Sequence, residues 1–265
     1  MYGTDYYNWS VNDNGTHRRS GNTASDYSTD VISSEAQSFI DTSVDPSVGQ
    51  GKPFFAWVGV SAPHYPSTAA PRDLRTYDGL KAPRPLSFNE ADVSDNPPWI
   101  SSLPPLSASQ IAQIDARQEN RAETLQALDD LVEGVVNKLD SAGVLNNTYI
   151  FFTSDNGFEM GEHRIFDGKR QPYEESARVP LLVRGPGVGA GSTTDKLALN
   201  IDFFPTFMEL AGAQTQTPSY GDGRSLRPVL DDSATPPLGG PPSCWRRGSR
   251  VQQPRVSTPS ARAMG

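Results

Sequence analysis

Three short runs of apolar, aromatic and β-branched residues stand out from an otherwise polar chain. They are 53–60 (PFFAWVGV), 149–153 (YIFFT) and 179–183 (VPLLV). Runs of this length without regular alternation are typical of strands that are buried on both faces of a sheet. The pattern therefore predicts three interior strands, whereas the polar residues 1–30 predict loop with one hairpin at most.

Hydrophobic residues at spacings of three and four predict helices around these strands. The predicted helices are 27–40, 108–139 and 201–211, and the pattern is strongest in 108–139. Pro205 is compatible with a helix only in its first turn, and Gly212 is a typical helix end. Helices that alternate with strands imply an α/β fold with a largely parallel sheet. Residues 67–108, rich in proline and polar groups, form a long excursion from this pattern.

Candidate functional residues follow two of the predicted strands. His64 lies four residues past the first strand, and Asp155 and Asn156 lie two and three past the second. Ligands of α/β sheets bind beyond the carboxyl ends of strands, so we expect these loops to share one rim. Adjacent carboxylate and amide oxygens suit Ca²⁺ or Mg²⁺, and the Lys169 ammonium suits an anionic oxygen. The imidazole of His64 could donate to an anion or transfer a proton.

Each candidate also has an explanation that needs no ligand. Asp-Asn-Gly is common turn chemistry, and a single loop histidine or lysine is more often an exposed surface group. His163 lies in a charged loop and is expected to be solvated, and Glu174-Glu175 is expected in the first turn of a helix. Asp129-Asp130 is expected on the solvated face of the long helix, where one of the two could cap or cross-link.

Composition narrows the classes of function. The 265 residues carry 23 Lys and Arg against 31 Asp and Glu, a formal net charge of −8, which argues against nucleic-acid binding. Cys244 is the only cysteine, which excludes a disulfide framework. No apolar run reaches the roughly 18 residues of a membrane helix, and the first residues lack a signal-peptide pattern. Three N-x-[ST] sequons, at Asn8, Asn14 and Asn146, hint at glycosylation and secretion.

The order and spacing of several motifs resemble the sulfatases of the alkaline-phosphatase-like superfamily. The motifs are PFFAWVGVSAPHYP, TYIFFTSDNGFEMGEH, DGKRQPYEESARVPLLVRGPG, NIDFFPTFMELAG and GDGRSLRPVL. They are most similar to the N-acetylglucosamine-6-sulfatase and fungal arylsulfatase branch. The resemblance implies an α/β, alkaline-phosphatase-like fold with a mainly parallel sheet flanked by helices, over residues 1–233. Residues 234–265, dense in Pro, Gly and Ser, are expected to be a disordered or aberrant tail.

The resemblance also implies hydrolysis of sulfate esters beside one Ca²⁺. Asp155 and Asn156 match part of the family's metal site. Lys169 matches the lysine that binds the sulfate, and His64 matches a histidine near the leaving oxygen. Charge develops on the bridging oxygen as the S–O bond breaks, and cations directed at it stabilise the transition state. The implied partner is a sulfated glycan or an aryl sulfate ester. The implied location of the full-length protein is extracellular, lysosomal or vacuolar.

Part of the family pattern is absent from the 265 residues. The family's nucleophile is a formylglycine made from the first residue of Cys/Ser-x-Pro-x-Arg, and no such pentapeptide occurs. The acidic pair that completes the metal site is also missing, because Asp129-Asp130 lies inside the predicted long helix. We therefore expect the C-terminal part of a catalytic domain, without activity of its own. The alternatives are a non-catalytic, glycan-binding pseudo-enzyme and another hydrolase of the superfamily, such as a phosphodiesterase or phosphonate hydrolase.

Overall fold

The computed structural model describes residues 5–213 and 222–231. In chain order its strands are β1 (Ser10–Asp13), β2 (Thr16–Arg19), β3 (Ile150–Thr153) and β4 (Leu181–Arg184). Its helices are α1 (Ser28–Val44), α2 (Pro98–Ser101), α3 (Ala108–Ser141), α4 (Glu174–Ala177), α5 (Phe203–Leu210) and α6 (Arg227–Leu230). The sequence prediction for the tail, 234–265, falls outside the described residues.

The predicted long helix is present as α3. It begins at a capping box, in which the Gln110 N–H donates to Ser107 Oγ at 3.3 Å and the Ser107 N–H donates to Gln110 Oε1 at 2.9 Å. The predicted helix 27–40 is present as α1, which packs against α3. Both helices extend a few residues beyond the predicted ends. Near those ends, Lys138 Nζ lies 2.9 Å from Asp41 Oδ2 and joins the two helices.

Three small hydrophobic clusters lie along α3 in the described residues. The first contains Tyr6, Tyr27, Ala62, Ala70 and Ala127; the second contains Ala82, Leu106, Ile114 and Met160; the third contains Ile40, Leu139 and Leu145. Helix α3 supplies a buried residue to each of them: Ala127, Ile114 and Leu139 respectively. It is therefore the element against which otherwise separate parts of the chain pack.

An arginine in the long excursion cross-links the two long helices. Arg72 lies 2.7 Å from Asp30 of α1 and 2.9 Å from Asp130 of α3, measured between guanidinium nitrogens and carboxylate oxygens. One member of the Asp129-Asp130 pair therefore does cross-link, as one of the two sequence interpretations allowed. The pairs are exposed, so each adds on the order of 1 kcal/mol or less to stability.

The strand pairing differs from the prediction. Within the described residues, β1 pairs with β2 and β3 pairs with β4, and both pairs are antiparallel. The predicted strands over 149–153 and 179–183 exist as β3 and β4, but the prediction of a mainly parallel sheet is wrong for these residues. Parallel neighbours need a crossover element between them. In the described structure, the residues between β3 and β4 form a short hairpin at 159–168 and the single turn of α4 but no long crossover helix, and the two strands pair antiparallel.

Residues 53–60 form no strand in the described part of the chain, contrary to the prediction of a buried strand. Phe55 is 62 % exposed and Trp57 is 72 % exposed. The segment is only partly covered: Phe54 packs against the third cluster, and the Phe55 ring lies 5.5 Å from that of Phe207 in α5. A hydrophobic run shows what a segment could bury, whereas burial on both faces depends on partners elsewhere in the chain.

The predictions for the hairpin, for Pro205 and Gly212 and for Glu174-Glu175 are confirmed. The N-terminal polar region contains the hairpin β1–β2, with Asn14 and Gly15 at positive φ in its turn. Pro205 is the third residue of α5, and Gly212 at φ 66° follows the helix end. Glu174 and Glu175 open α4. Among the described helices, none is both long enough and apolar enough to cross a membrane.

The third cluster gives a direct test of how much the α1–α3 packing stabilises the fold. We expect Leu139→Ala to lower the free energy of unfolding by about 2–5 kcal/mol, because it removes a side chain that is 2 % exposed and leaves a cavity. Leu125→Ala on the same helix is the matched control, since Leu125 is 38 % exposed. Urea unfolding followed by circular dichroism measures both; equal losses would contradict this description of the core.

Candidate functional site

Asp155 and Asn156 lie in the loop that leaves β3. Asp155 is exposed, and its carboxylate accepts one long hydrogen bond from Ser154 Oγ, at 3.4 Å. Asn156 donates from Nδ2 to the Gly157 carbonyl at 2.8 Å, and among the described residues no donor reaches its side-chain oxygen. The Asn200 side chain donates to the carbonyls of Ser154 and Asp155, at 3.5 and 3.3 Å. The backbone of this loop is therefore fixed while its side-chain oxygens stay available.

Gly157 lets this loop pass directly against α4. Its N–H donates to the Ser176 carbonyl at 2.9 Å. A Cβ at this position would lie 2.0 Å from the carbonyl oxygen of Glu175, so no other residue fits without a shift of the backbone. The chain bends at Asp155 and forms no hydrogen-bonded turn over Asp155–Gly157, and the contact of Gly157 with Ser176 holds the end of this segment beside α4.

Lys169 follows a short hairpin, residues 159–168, which we call the site hairpin. An isolated antiparallel bridge joins Glu159 to Gly168, with N–H···O distances of 2.9 and 3.2 Å. The bridge fixes the point at which Lys169 leaves the hairpin. Lys169 is half-buried and has no ion-pair or hydrogen-bond partner among the described residues. Its ammonium is therefore available to an anion.

Helix α3 supports the site hairpin on one side. Met160 of the hairpin and Ile114 of α3 are both buried in the second cluster. The Arg117 guanidinium lies 4.5 Å above the centre of the Phe166 ring and forms an ion pair with Asp167. These contacts join the hairpin to the most regular element of the fold.

Part of the long excursion, residues 85–103, covers the other side. The Arg164 guanidinium donates to three backbone carbonyls of this segment: Glu90 at 2.8 Å, Ala91 at 2.8 Å and Leu103 at 2.9 Å. Charge-assisted hydrogen bonds of this kind are stronger than those between neutral groups. The excursion is thus attached to the segment 154–178, which we call the loop system and which carries Asp155, Asn156 and Lys169.

His163 is a residue whose environment the sequence interpretation missed. It was expected to be solvated, yet its side chain is only 14 % exposed. Its Nδ1 lies 3.4 Å from Glu90 Oε2, its Nε2 lies 3.6 Å from Glu175 Oε2, and its ring stacks on Tyr173 with centroids 3.9 Å apart. The available signal in the sequence was one histidine followed closely by Tyr173 and the Glu174-Glu175 pair.

Glu159 is a second residue that the sequence did not reveal. It is fully buried, and neither carboxylate oxygen has a hydrogen-bond partner among the described residues. Burial raises the pKa of Glu159, and the nearby carboxylates of Glu175 and Glu162 raise it further. Burial also raises the pKa of the Tyr173 hydroxyl, and the nearby carboxylate of Glu90 raises it further. The surroundings of these two groups therefore favour the protonated forms of Glu159 and Tyr173.

His64 lies in the loop after residues 53–60 and is exposed. Its carbonyl accepts hydrogen bonds from the Tyr6 hydroxyl at 2.7 Å and from the Ser67 N–H at 2.9 Å, and its Nδ1 lies 2.8 Å from the Tyr65 carbonyl. In the described residues, no hydrogen bond or ion pair joins His64 to Lys169 or to the Asp155-Asn156 pair. Asp155, Asn156 and Lys169 thus belong to one loop system, while their convergence with His64 stays a prediction.

The Asp155-Asn156 pair fits part of a Ca²⁺ site. Ca²⁺ takes six to eight oxygen ligands, and these two side chains offer uncommitted oxygens of the right kind. Over residues 5–213 and 222–231, no group of three or more His, Cys, Asp and Glu side chains is arranged to hold a metal ion. The pair could therefore contribute ligands but needs further oxygens to complete a site.

The sequons at Asn8, Asn14 and Asn146 are exposed, and their glycosylation stays a prediction.

Residues 2–213 match the family model named Sulfatase. The chain belongs to the sulfatase family. The resemblance inferred from its motifs is thereby confirmed. N-acetylglucosamine-6-sulfatase from Homo sapiens is 40 % identical over 228 residues, which are 85 % of this chain and 40 % of that protein. This sulfatase chain therefore spans about 40 % of the length of that curated relative.

Other relatives are also sulfatases, enzymes that hydrolyse sulfuric esters. An arylsulfatase from Volvox carteri is 37 % identical over 215 residues, 72 % of this chain and 32 % of its own. The extracellular sulfatase SULF-1 homolog from Drosophila melanogaster is 34 % identical over 226 residues, 85 % of this chain and 20 % of its own.

Solved structures show the fold. BT4656, in complex with its substrate D-glucosamine-2-N,6-O-disulfate, superposes with a TM-score of 0.70 at 26 % identity, covering 91 % of this chain and 58 % of that chain. Such neighbours have the alkaline-phosphatase-like fold, so this part of the fold prediction is confirmed, although the strand pairs of the described residues are small and antiparallel.

The buried Glu159 predicts a pH-dependent difference in stability. In the folded protein the pKa of Glu159 is raised above the ordinary value of about 4.3. The folded state therefore holds a proton that the unfolded state releases at a lower pH. The protein is relatively more stable at low pH, and this advantage is lost as the pH rises through the pKa of the folded state. We expect Glu159→Gln to raise the free energy of unfolding at pH 7 by roughly 1 kcal/mol and to change little near pH 4.

Denaturant unfolding across pH 4–8 measures this difference. Glu174→Gln is the control, because the Glu174 side chain is 69 % exposed and its substitution should give no pH-dependent difference. A Glu159→Gln protein that is less stable than wild type at every pH would show that the carboxylate has a favourable partner.

Proposed function

We propose that the protein is a sulfuric ester hydrolase in which Lys169, Asp155 and Asn156 form part of the sulfate-binding site. The observation that supports it most is Lys169 itself. It is half-buried, it has no partner among the described residues, and a backbone bridge sets it at the base of the hairpin. The sulfatase family model covers this whole loop system.

A sulfate ester carries a single negative charge spread over three terminal oxygens. In the proposed site, the Lys169 ammonium binds one of these oxygens as a compact point charge. The imidazole of His64 holds a proton near the bridging oxygen, where charge develops as the S–O bond breaks. Asp155 and Asn156 would hold the family's Ca²⁺, whose chemistry is to neutralise sulfate charge.

The proposed substrate class is a sulfated glycan that carries a 6-sulfated glucosamine. The human relative is an N-acetylglucosamine-6-sulfatase, and BT4656 was solved with a glucosamine disulfate. An aryl sulfate ester is the alternative, supported by the Volvox arylsulfatase. The three exposed sequons and the extracellular Drosophila relative support an extracellular, lysosomal or vacuolar location for the full-length protein.

A second candidate function is binding of a sulfated glycan without catalysis. The observation that favours it is the absence of Cys/Ser-x-Pro-x-Arg from the 265 residues, since a bound anion needs only Lys169 and its neighbours. The two functions are separated by whether the loop system supports turnover when a formylglycine nucleophile is present.

A chimaera separates the two functions. Residues 2–213 would replace the matching part of human N-acetylglucosamine-6-sulfatase, which retains its own remaining sequence. We expect hydrolysis of 4-nitrophenyl sulfate and a loss of roughly 10²-fold or more in kcat/KM with Lys169→Ala, because one directed cation at the sulfate is removed. Lys196→Ala, at an exposed lysine, is the control. A folded chimaera without turnover would support the binding function instead.

The 265-residue chain alone should show no turnover of the same ester. Catalysis requires a barrier lowered by about 8–23 kcal/mol, and positioning residues without a nucleophile supply little of it. Turnover by the purified chain above that of its own Lys169→Ala variant would contradict the expected role of the missing pentapeptide.

Calcium binding by the same chain should be weak, with a dissociation constant of about 1 mM or higher. Asp155 supplies one carboxylate, and affinity for Ca²⁺ rises with ligand charge and number. Calorimetric titration with CaCl₂ measures it, with Asp155→Ala as the paired variant. Micromolar affinity that disappears in Asp155→Ala would show that the site has more ligands than the described pair.

A further inference from the structure

A five-residue segment, 169–173, carries Lys169 and is held at both ends. At one end, Gly168 is bridged to Glu159 across the base of the site hairpin. At the other end, Tyr173 directly precedes α4. Between them, the Gln171 N–H donates to Ser176 Oγ at 3.1 Å. The position of Lys169 thus depends on how the hairpin and α4 are fixed relative to each other.

His163 makes the connection between these two ends. It lies in the site hairpin, and its ring stacks on Tyr173 and faces Glu175 of α4 at 3.6 Å. Its backbone N–H donates to the Ser87 carbonyl at 2.7 Å. The residue has φ of 53°, and Arg164 after it has φ of 62°, a backbone that the surrounding contacts must hold.

The partners of His163 are themselves fixed by the excursion. Ser87 Oγ donates to Glu175 Oε1 at 3.1 Å, and Tyr173 donates from its hydroxyl to Asn96 Oδ1 at 3.0 Å. Asn96 in turn donates from Nδ2 to Glu90 Oε2 at 3.4 Å, the same oxygen that faces His163. The ring therefore sits inside a closed set of polar contacts that spans the hairpin, α4 and residues 85–103.

We propose that His163 is a positioning residue for Lys169: its stack on Tyr173 and its contacts with Glu90 and Glu175 close the 169–173 segment and hold the ammonium in place. The proposal rests on the proposed function of Lys169 as the sulfate-binding cation. The ring has a carboxylate oxygen facing each of its nitrogens, at 3.4 and 3.6 Å, and Tyr173 on its face. An amide side chain cannot reproduce both contacts and the stack at once.

The test follows the Lys169 side chain itself. The chain has five lysines, Lys52, Lys81, Lys138, Lys169 and Lys196, so reductive ¹³C-dimethylation gives a small set of NMR signals, and Lys169→Arg assigns the one in question. We expect the Lys169 signal to be displaced from that of exposed Lys196 in the wild type. In His163→Gln it should move to the Lys196 position, while the helical circular dichroism is retained.

His17→Gln is the matched control, because His17 is exposed in β2 and lies outside this set of contacts. A displaced Lys169 signal that persists in folded His163→Gln would overturn the proposal and leave His163 with a structural role only. If His163→Gln does not fold, Tyr173→Leu replaces it in the test, because this variant removes the ring stack. The proposal then requires that the displacement of the Lys169 signal is lost in Tyr173→Leu.

Titration with sodium sulfate separates this proposal from the proposed function. If Lys169 binds sulfate, its signal shifts on titration, and His163→Gln raises the apparent dissociation constant by about tenfold through lost preorganisation. A third result is possible: the wild-type Lys169 signal is displaced, this displacement is lost in His163→Gln, and sulfate does not shift the signal. In that case His163 positions Lys169, but Lys169 does not bind sulfate. A sulfate response of equal affinity in both proteins overturns the positioning role.

Discussion

The packing of the site hairpin between α3 and residues 85–103 is the constraint on which the candidate site depends. A loop of this length would lose about 1–2 kcal/mol of backbone entropy per residue on ordering, so it needs buried contacts on more than one side. Met160 and Ile114 supply an apolar contact toward α3. Arg164 supplies three charge-assisted hydrogen bonds toward the excursion. Asp155 and Asn156 lie shortly before this hairpin and Lys169 directly follows it, so the positions of these three residues depend on its packing.

The helices could be predicted from the sequence because their contacts are local. The spacing of three and four in 108–139 places side chains on one face whatever the rest of the chain does, and α3 follows that spacing. Strand pairing is not local, since a ladder needs a partner that the run itself does not specify. The run 53–60 has the composition of a buried strand, yet Trp57 is 72 % exposed in the described structure.

The residues of the candidate site also differ in whether the sequence could reveal them. Asp155, Asn156 and Lys169 could be found from the sequence because the motif keeps them at fixed spacing around a loop. Glu159 and His163 could not be found in this way, because the burial of an acid and the contacts of an imidazole depend on which residues pack against them. Glu90, which faces His163 at 3.4 Å, is 73 residues away in sequence. Periodicity and composition carry no information about a contact at that separation.

Burial of Glu159 also bears on how an anion could be tolerated at Lys169. The loop system gathers the carboxylates of Glu90, Glu159, Glu162 and Glu175 around His163. Four full negative charges here would oppose a sulfate, because repulsion in a partly dry site is screened less than in water. Burial that raises the pKa of Glu159 favours its neutral form, which weakens that repulsion. The same packing that fixes the hairpin therefore lowers the electrostatic cost of binding an anion beside it.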